Sequence, residues 1–177
     1  MDKNLLRNII KDKRINIIQN GLLEEISHKV SLQIVNSEVF KNSTNIALYH
    51  ALADEININE LLKCKDKNFF LPKCIGSDLF FAPYSNNLVK GSYSIFEPAG
   101  DVINPEILDV IYVPCLCCNI SHYRLGYGKG FYDRFFVKNN IKAKKIIVSS
   151  SDFITSDFVQ DSYDYKCDYI VCEKGMI

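Results

Sequence analysis

Eleven consecutive residues restrict the possible folds more than any other part of the chain: Arg124-Leu125-Gly126-Tyr127-Gly128-Lys129-Gly130-Phe131-Tyr132-Asp133-Arg134. An apolar run at residues 109–113 precedes them, and a helical pattern at residues 131–139 follows. Glycines that turn a buried strand into a helix belong to α/β architecture, where strands and helices alternate. Gly126, Gly128 and Gly130 also let the backbone approach a ligand and present several N–H groups to it. The helix N-terminus behind them adds its dipole. Arg124, Lys129 and Arg134 add positive charge, and together these parts make a phosphate cradle. On spacing alone, a tight turn that merely needs positive φ explains the glycines equally well.

The rest of the pattern agrees with that class. Residues 2–18 read as a helix, with Leu6, Ile9, Ile10 and Ile17 on one side and Asp2 as N-cap. Residues 22–41 predict a second helix that turns Leu22, Leu23, Ile26, Val30 and Ile34 inward, with Gly21 between the two. Apolar runs at residues 45–50, 69–71, 79–81, 145–148 and 169–171 read as strands. Pro72 and Pro83 are expected to end the second and third of these. Asn57 is a candidate cap for a short helix through Leu61 and Leu62, and residues 85–105 are expected to be mostly loop. The expectation is one domain over residues 1–177: a three-layer α/β/α sandwich, Rossmann-like, with a mainly parallel central sheet.

Composition excludes several functions. At 177 residues and 47% hydrophobic, the chain can bury a core without disulfides. Twenty-one basic against 21 acidic residues give no net charge, which argues against a wholesale nucleic-acid binder. No apolar run is long enough to span a bilayer, and Met1-Asp2-Lys3-Asn4 does not begin a signal peptide, so a cytoplasmic protein is expected. Seven cysteines, an odd number, imply free thiols, and three histidines are thin material for a zinc site. Residues 1–14 are basic and residues 152–173 acidic. These ends either serve one charged ligand or form two solvated faces.

The glycine turn is not a P-loop, because no Gly-Lys-Ser/Thr occurs, and its spacing is not the dinucleotide fingerprint. Asp133, in the first helical turn, suits the helix dipole. Beside a phosphate cradle it is also the kind of group Mg²⁺ takes, together with substrate phosphates.

The run from Arg124 to Arg134 closely resembles the signature of the 5-formyltetrahydrofolate cyclo-ligase family, and the likeness extends more sparsely along nearly the whole chain. Lys3-Asn4-Leu5-Leu6-Arg7 resembles the family's Lys-x-x-x-Arg element, which contacts ATP phosphates. Lys3 and Arg7 share one helical face, and Arg14 continues that stripe. Residues 49–56 resemble the segment lining the folate site, where Glu55 would contact the pterin and His50 would line the substrate. Leu71-Pro72-Lys73, the stretch from Gly91 through Ile95-Phe96-Glu97-Pro98, and Val113-Pro114 with Asn119 resemble further family elements. Asp164-Tyr165-Lys166-Cys167-Asp168 resembles the element whose first aspartate joins the Mg²⁺ site.

The chain departs from the family before the glycine turn. Where the family has Pro-Gly-x-x-Phe-Asp and then a glycine, this chain has Cys118, Asn119 and His122 at the Phe, Asp and Gly positions. Cys115 and Cys118 form a Cys-x-x-Cys spacing with no second pair, which favours small buried hydrophobes over a redox or metal site. Were the run extended, Cys115 and Cys117 would face one side and Cys118 the other.

The resemblance implies an ATP- and Mg²⁺-dependent ligase that closes the ring of 5-formyltetrahydrofolate to 5,10-methenyltetrahydrofolate. It implies Lys3, Arg7, Arg124 and residues 125–132 (Leu125, Gly126, Tyr127, Gly128, Lys129, Gly130, Phe131, Tyr132) on ATP, and Lys129 and Arg134 on transition-state charge. His50, Glu55, Tyr127 and Phe131 would hold the folate, and Asp133 and Asp164 the Mg²⁺. A monomer acting on small molecules, with no nucleic-acid or membrane partner, is expected. A non-catalytic folate- or nucleotide-binding module and a sugar-phosphate enzyme on a similar fold remain the alternatives.

Overall fold

The structure, a computed structural model, describes residues 1–91 and 95–177. Helix α1 spans Lys3–Gln19, and the Asp2 side chain caps it by accepting from the N–H groups of Asn4 and Leu5 at 2.9 and 3.0 Å. Gly21, at φ 69°, turns the chain into α2, Leu22–Asn36. The predicted helix over 22–41 is broken at Ser37, which is extended and caps a separate short helix α3, Glu38–Asn42. The Ser37 hydroxyl donates to the Ile34 carbonyl and accepts from Phe40 N–H, so its own hydrogen bonds compete with helix continuation. Leu22, expected inside, is 44% exposed, because it starts the helix beside the Gly21 turn.

Seven strands make the central sheet: β1 (Asn45–Ala47), β2 (Asn68–Ile75), β3 (Asp78–Pro83), β6 (Val110–Pro114), β9 (Lys144–Val148), β10 (Tyr169–Cys172) and β11 (Gly175–Met176). Their order is β11-β10-β9-β6-β1-β2-β3, parallel in the middle and antiparallel in the two edge pairs. Pro72 does not end β2 as expected. The Phe70 carbonyl accepts from Leu48, so the alternate residue Pro72 turns its donorless nitrogen to the side where β1 has already stopped. Pro83 does end β3. Within 85–105, expected to be loop, β4 (Leu88–Lys90) and β5 (Phe96–Pro98) pair as an antiparallel hairpin. The family-like stretch from Gly91 to Pro98 lies partly outside the described residues, at 92–94. Residues Asn59–Lys63 form a 3₁₀ turn. Asn57 accepts from Asn59 N–H but sits one residue before the cap position, Ile58.

The strand period of two sorts the core. Val110 and Tyr112 pack with Val30 and Ile34 of α2 on one face. Ile111 and Val113 pack on the other with Phe135 and Phe136 of α4, Phe131–Asn139. Helices therefore cover both faces, giving three layers. Phe136 is 1% exposed, and emptying such a site costs about 3–5 kcal/mol, so α4 is firmly anchored. Helix α1 lies beyond the ends of β6 and β9, with Leu6 and Ile10 against Leu116, Leu125 and Phe153. After β1 the chain winds to β2 and β3 on one side, then returns to β6 on the other. The carboxyl ends of β1 and β6 flank that reversal, where open α/β sheets bind ligands.

Cys115, Cys117 and Cys118 are free and buried. A bend at Leu116 overturns the extended arrangement: Cys115 and Cys118 share one apolar cluster and Cys117 joins another. Burial pushes the Cys117 thiol up to about 12, consistent with apolar packing.

Candidate active site

A cavity of about 1070 Å³ opens at the reversal point. The glycine turn with α4, the N-terminus of α1, the segment after β1, the β2–β3 and β4–β5 hairpins and residues 162–164 line it. Arg124 and Leu125 form strand β8, paired with β7 (Cys117–Cys118). Gly128 and Gly130 take φ 98° and 64°, a region that penalises any side chain, and Gly130 leads into α4. Two arginines clasp the turn by its carbonyls. Arg7 Nε donates to Gly126 O at 2.9 Å, and Arg134 Nη1 to Lys129 O at 2.6 Å. Arg134 also donates to Ser77 O at 2.8 Å and lies over the Phe131 ring.

Two further expected cations, Arg124 and Lys3, face carboxylates. Arg124 Nη2 lies 3.0 Å from Asp133 Oδ2, and Tyr132 packs under the same guanidinium. Lys3 Nζ lies 2.5 Å from Asp164 Oδ2 and 2.6 Å from Asp161 Oδ2. Burial opposes the charge on Lys3, but the hydrogen bonds to Asp161 and Asp164 outweigh it and raise its pKa. The basic and acidic ends of the chain thus meet each other here, rather than forming separate solvated faces. Tyr165, next to Asp164, donates its backbone N–H to Asp133 Oδ1 at 3.2 Å, which brings the two expected metal carboxylates into one corner. Among the described residues no three His, Cys, Asp or Glu side chains form a metal cage. Two carboxylates beside cationic side chains are the kind of set Mg²⁺ takes, its other ligands coming from phosphate and water.

Two buried acids also line the cavity. Glu55 is 5% exposed and accepts from Leu52 N–H at 2.9 Å. Burial pushes its carboxyl up to about 7. Glu97, 6% exposed, accepts from Cys74 N–H at 3.1 Å. A Cβ on Gly91 would come within 2.2 Å of Glu97 Cδ, so only glycine admits this carboxylate. His50 meets Phe96 edge to face at 5.8 Å. The Tyr127 hydroxyl donates to Asp54, with both carboxylate oxygens at 2.9 Å.

A family model for the 5-formyltetrahydrofolate cyclo-ligase family matches residues 1–172. The chain belongs to the 5-formyltetrahydrofolate cyclo-ligase family. With that family comes the class of protein: an enzyme, a ligase of folate one-carbon metabolism. It is 28% identical to the cyclo-ligase of Mycoplasma genitalium, over 97% of this chain and 98% of that one. It is 27% identical to the enzyme of Saccharomyces cerevisiae, over 99% and 97%. The solved 5,10-methenyltetrahydrofolate synthetase of Aquifex aeolicus superposes with a TM-score of 0.87 at 32% identity, covering 99% of this chain and 92% of that one. The synthetase from Mycoplasma pneumoniae gives 0.77 at 26% identity, covering 98% and 99%.

Every residue to which the cyclo-ligase resemblance gave a part on ATP, folate, Mg²⁺ or transition-state charge borders this cavity. Leu125 does so while 2% exposed in the α1 cluster. Arg14 does not extend the Lys3–Arg7 stripe into the site. It is 3% exposed, because that helix face turns inward. Sequence reasoning missed Glu97 as a lining residue, and Asp54 and Asp161 as the partners of Tyr127 and Lys3. Glu97 had a signal, an acid between Phe96 and Pro98 in an apolar stretch, whereas the partners of Asp54 and Asp161 are 73 and 158 residues away. The departures before the turn also find reasons. Asn119 Oδ1 accepts from the N–H groups of Ser121 and Tyr123, a task that needs an acceptor but no charge. His122 sits at φ 68°, where glycine is the easier residue.

Proposed function

We propose that this chain converts 5-formyltetrahydrofolate to 5,10-methenyltetrahydrofolate with cleavage of ATP to ADP and phosphate. The observation that carries this reading is one cavity lined both by a cationic glycine turn and by two buried carboxylates. A cavity of about 1070 Å³ also suits two ligands meeting end to end. The formyl group is an amide, and its oxygen is a poor leaving group. Breaking the β–γ bond of ATP and bonding the γ-phosphorus to that oxygen makes a good one. The neighbouring bridge nitrogen then attacks the formyl carbon and gives up its proton, and phosphate departs with the oxygen.

Catalysis of this kind is mostly positioning and charge stabilisation. Lys3, Arg7, Arg124 and the turn N–H groups bind the triphosphate, and Lys129 and Arg134 stabilise charge developing during transfer. As phosphate enters, Lys3 and Arg124 exchange carboxylate partners for phosphate oxygens. Asp133 and Asp164 are the residues that would hold Mg²⁺, which would neutralise phosphate charge when bound. Glu55 and Glu97 present acceptors to the amino and ring N–H groups of a pterin, and His50, Tyr127 and Phe131 pack around it.

Purified protein mixed with 5-formyltetrahydrofolate and MgATP tests the reading. The near-ultraviolet band of the methenyl product should grow only with ATP and Mg²⁺ both present. Folded protein that binds ATP but forms no such band would overturn it.

A further inference from the structure

Arg14 has a role the reaction scheme does not use. Its guanidinium is buried in α1, yet it reaches two separate chain segments. Nη1 donates to Asp54 O at 2.5 Å, and Nη2 donates to Cys115 O at 2.5 Å and Leu116 O at 3.0 Å. Nη1 also lies 3.8 Å from the Asp54 carboxylate. Asp54 immediately precedes Glu55. Leu116 N–H donates to Leu125 O at 2.8 Å, at the entrance to the glycine turn. On its other side the Asp54 carboxylate takes the hydroxyl of Tyr127, which stands between Gly126 and Gly128. The Gly126 carbonyl returns to α1 through Arg7. These contacts close a ring: Arg14, Asp54, Tyr127, Gly126, Arg7 and back along the helix.

We propose that Arg14 and Asp54 are positioning residues that couple the glycine turn to the segment carrying Glu55, so that a ligand on the turn and a ligand against Glu55 each favour the other's binding. The inference rests on the reading given above for what those ligands are. The physical basis is reciprocity. A ligand that orders Tyr127 and the turn also orders Asp54 and hence Glu55, and linkage requires the same factor in reverse. A buried guanidinium serving only the core would stabilise the fold without carrying that factor. The fork geometry suits the task, because one planar group fixes carbonyls from two segments at once.

The test is the affinity of a non-hydrolysable ATP analogue, measured calorimetrically with and without saturating 5-formyltetrahydrofolate. In the unaltered enzyme the folate should tighten the analogue at least about fivefold. Asp54→Ala removes the carboxylate but leaves the carbonyl that Arg14 holds. It should keep each single-ligand affinity within about threefold while the mutual effect falls below about twofold. Asp54→Asn retains an acceptor for Tyr127 and should restore at least half of the coupling free energy, which a purely structural role would not require. Should Asp54→Ala impair folding, Asp54→Ser takes its place. Coupling that survives in the Ala or Ser variant overturns the proposal, and so does an unaltered enzyme that binds both ligands independently. An unaltered enzyme that binds neither ligand overturns the functional reading first, and the coupling falls with it.

Discussion

Glu55→Gln replaces a buried carboxyl with an amide of nearly the same shape. Burial pushes the Glu55 carboxyl from its ordinary 4.5 to about 7, opposed by the Leu52 N–H and by Arg14 and assisted by Asp54. At about 1.4 kcal/mol per pH unit, that displacement corresponds to about 3 kcal/mol of ionisation penalty in the folded chain, an order-of-magnitude figure. Below 4.5 the group is protonated in folded and unfolded chains alike, and there is no penalty. Between 4.5 and about 7 the folded chain keeps its proton while the unfolded chain loses it, so stability falls as pH rises. Above about 7 the penalty is complete. Glutamine carries none of it and can still accept from Leu52. Denaturant unfolding of both proteins at about pH 4.5 and about pH 8 should therefore show the variant gaining about 1–3 kcal/mol over the parent at the higher pH only. The same variant should bind 5-formyltetrahydrofolate about tenfold or more weakly, since a charged acceptor to the pterin is lost. A stability difference equal at the two pH values would refute the argument that this carboxyl is held at an energetic cost for the sake of its site.

Gly91→Ala places a methyl group 2.2 Å from Glu97 Cδ, so the carboxylate must leave Cys74 N–H. Folate affinity should drop about tenfold and stability by about 1–3 kcal/mol, and unchanged folate binding in a titration would remove Glu97 from the site. His122→Gly relieves a left-handed backbone position at φ 68° and should raise stability by about 1 kcal/mol, read as a melting temperature a few degrees higher. Asp161→Asn removes one of the two carboxylates holding Lys3, so ATP-analogue affinity should rise about two- to fivefold at low salt, and a fall would contradict the partner exchange. Lys129→Ala should cut turnover about 10³-fold or more, or weaken ATP binding sharply, and near-normal kinetics would exclude its assigned part in phosphoryl transfer.

The sequence by itself determined the class of fold and the backbone of the glycine turn. Helix α4 lies at Phe131–Asn139 as its pattern predicts, and residues 110–113 of the expected strand over 109–113 lie in β6, because apolar period and glycine placement are local properties of the chain. The identities of Gly128 and Gly130 announced positions that only glycine occupies easily, and the structure gives both a positive φ. Lys3, Arg7, Glu55 and Asp164 were legible only through resemblance, since no local rule says which residues meet across a hundred or more positions. Tertiary structure alone decided their partners. It paired Lys3 with Asp161 and Asp164, turned Arg14 inward to two loops, and set Glu97 against Gly91. It also carried β2 through Pro72, because what a proline nitrogen costs depends on whether a neighbouring strand is there to accept a donor. Local pattern reports what a residue can do within a few turns of its own backbone. Burial, ion pairing and a displaced pKa are properties of neighbours brought together from far along the chain, and they exist only once the sheet has set its order.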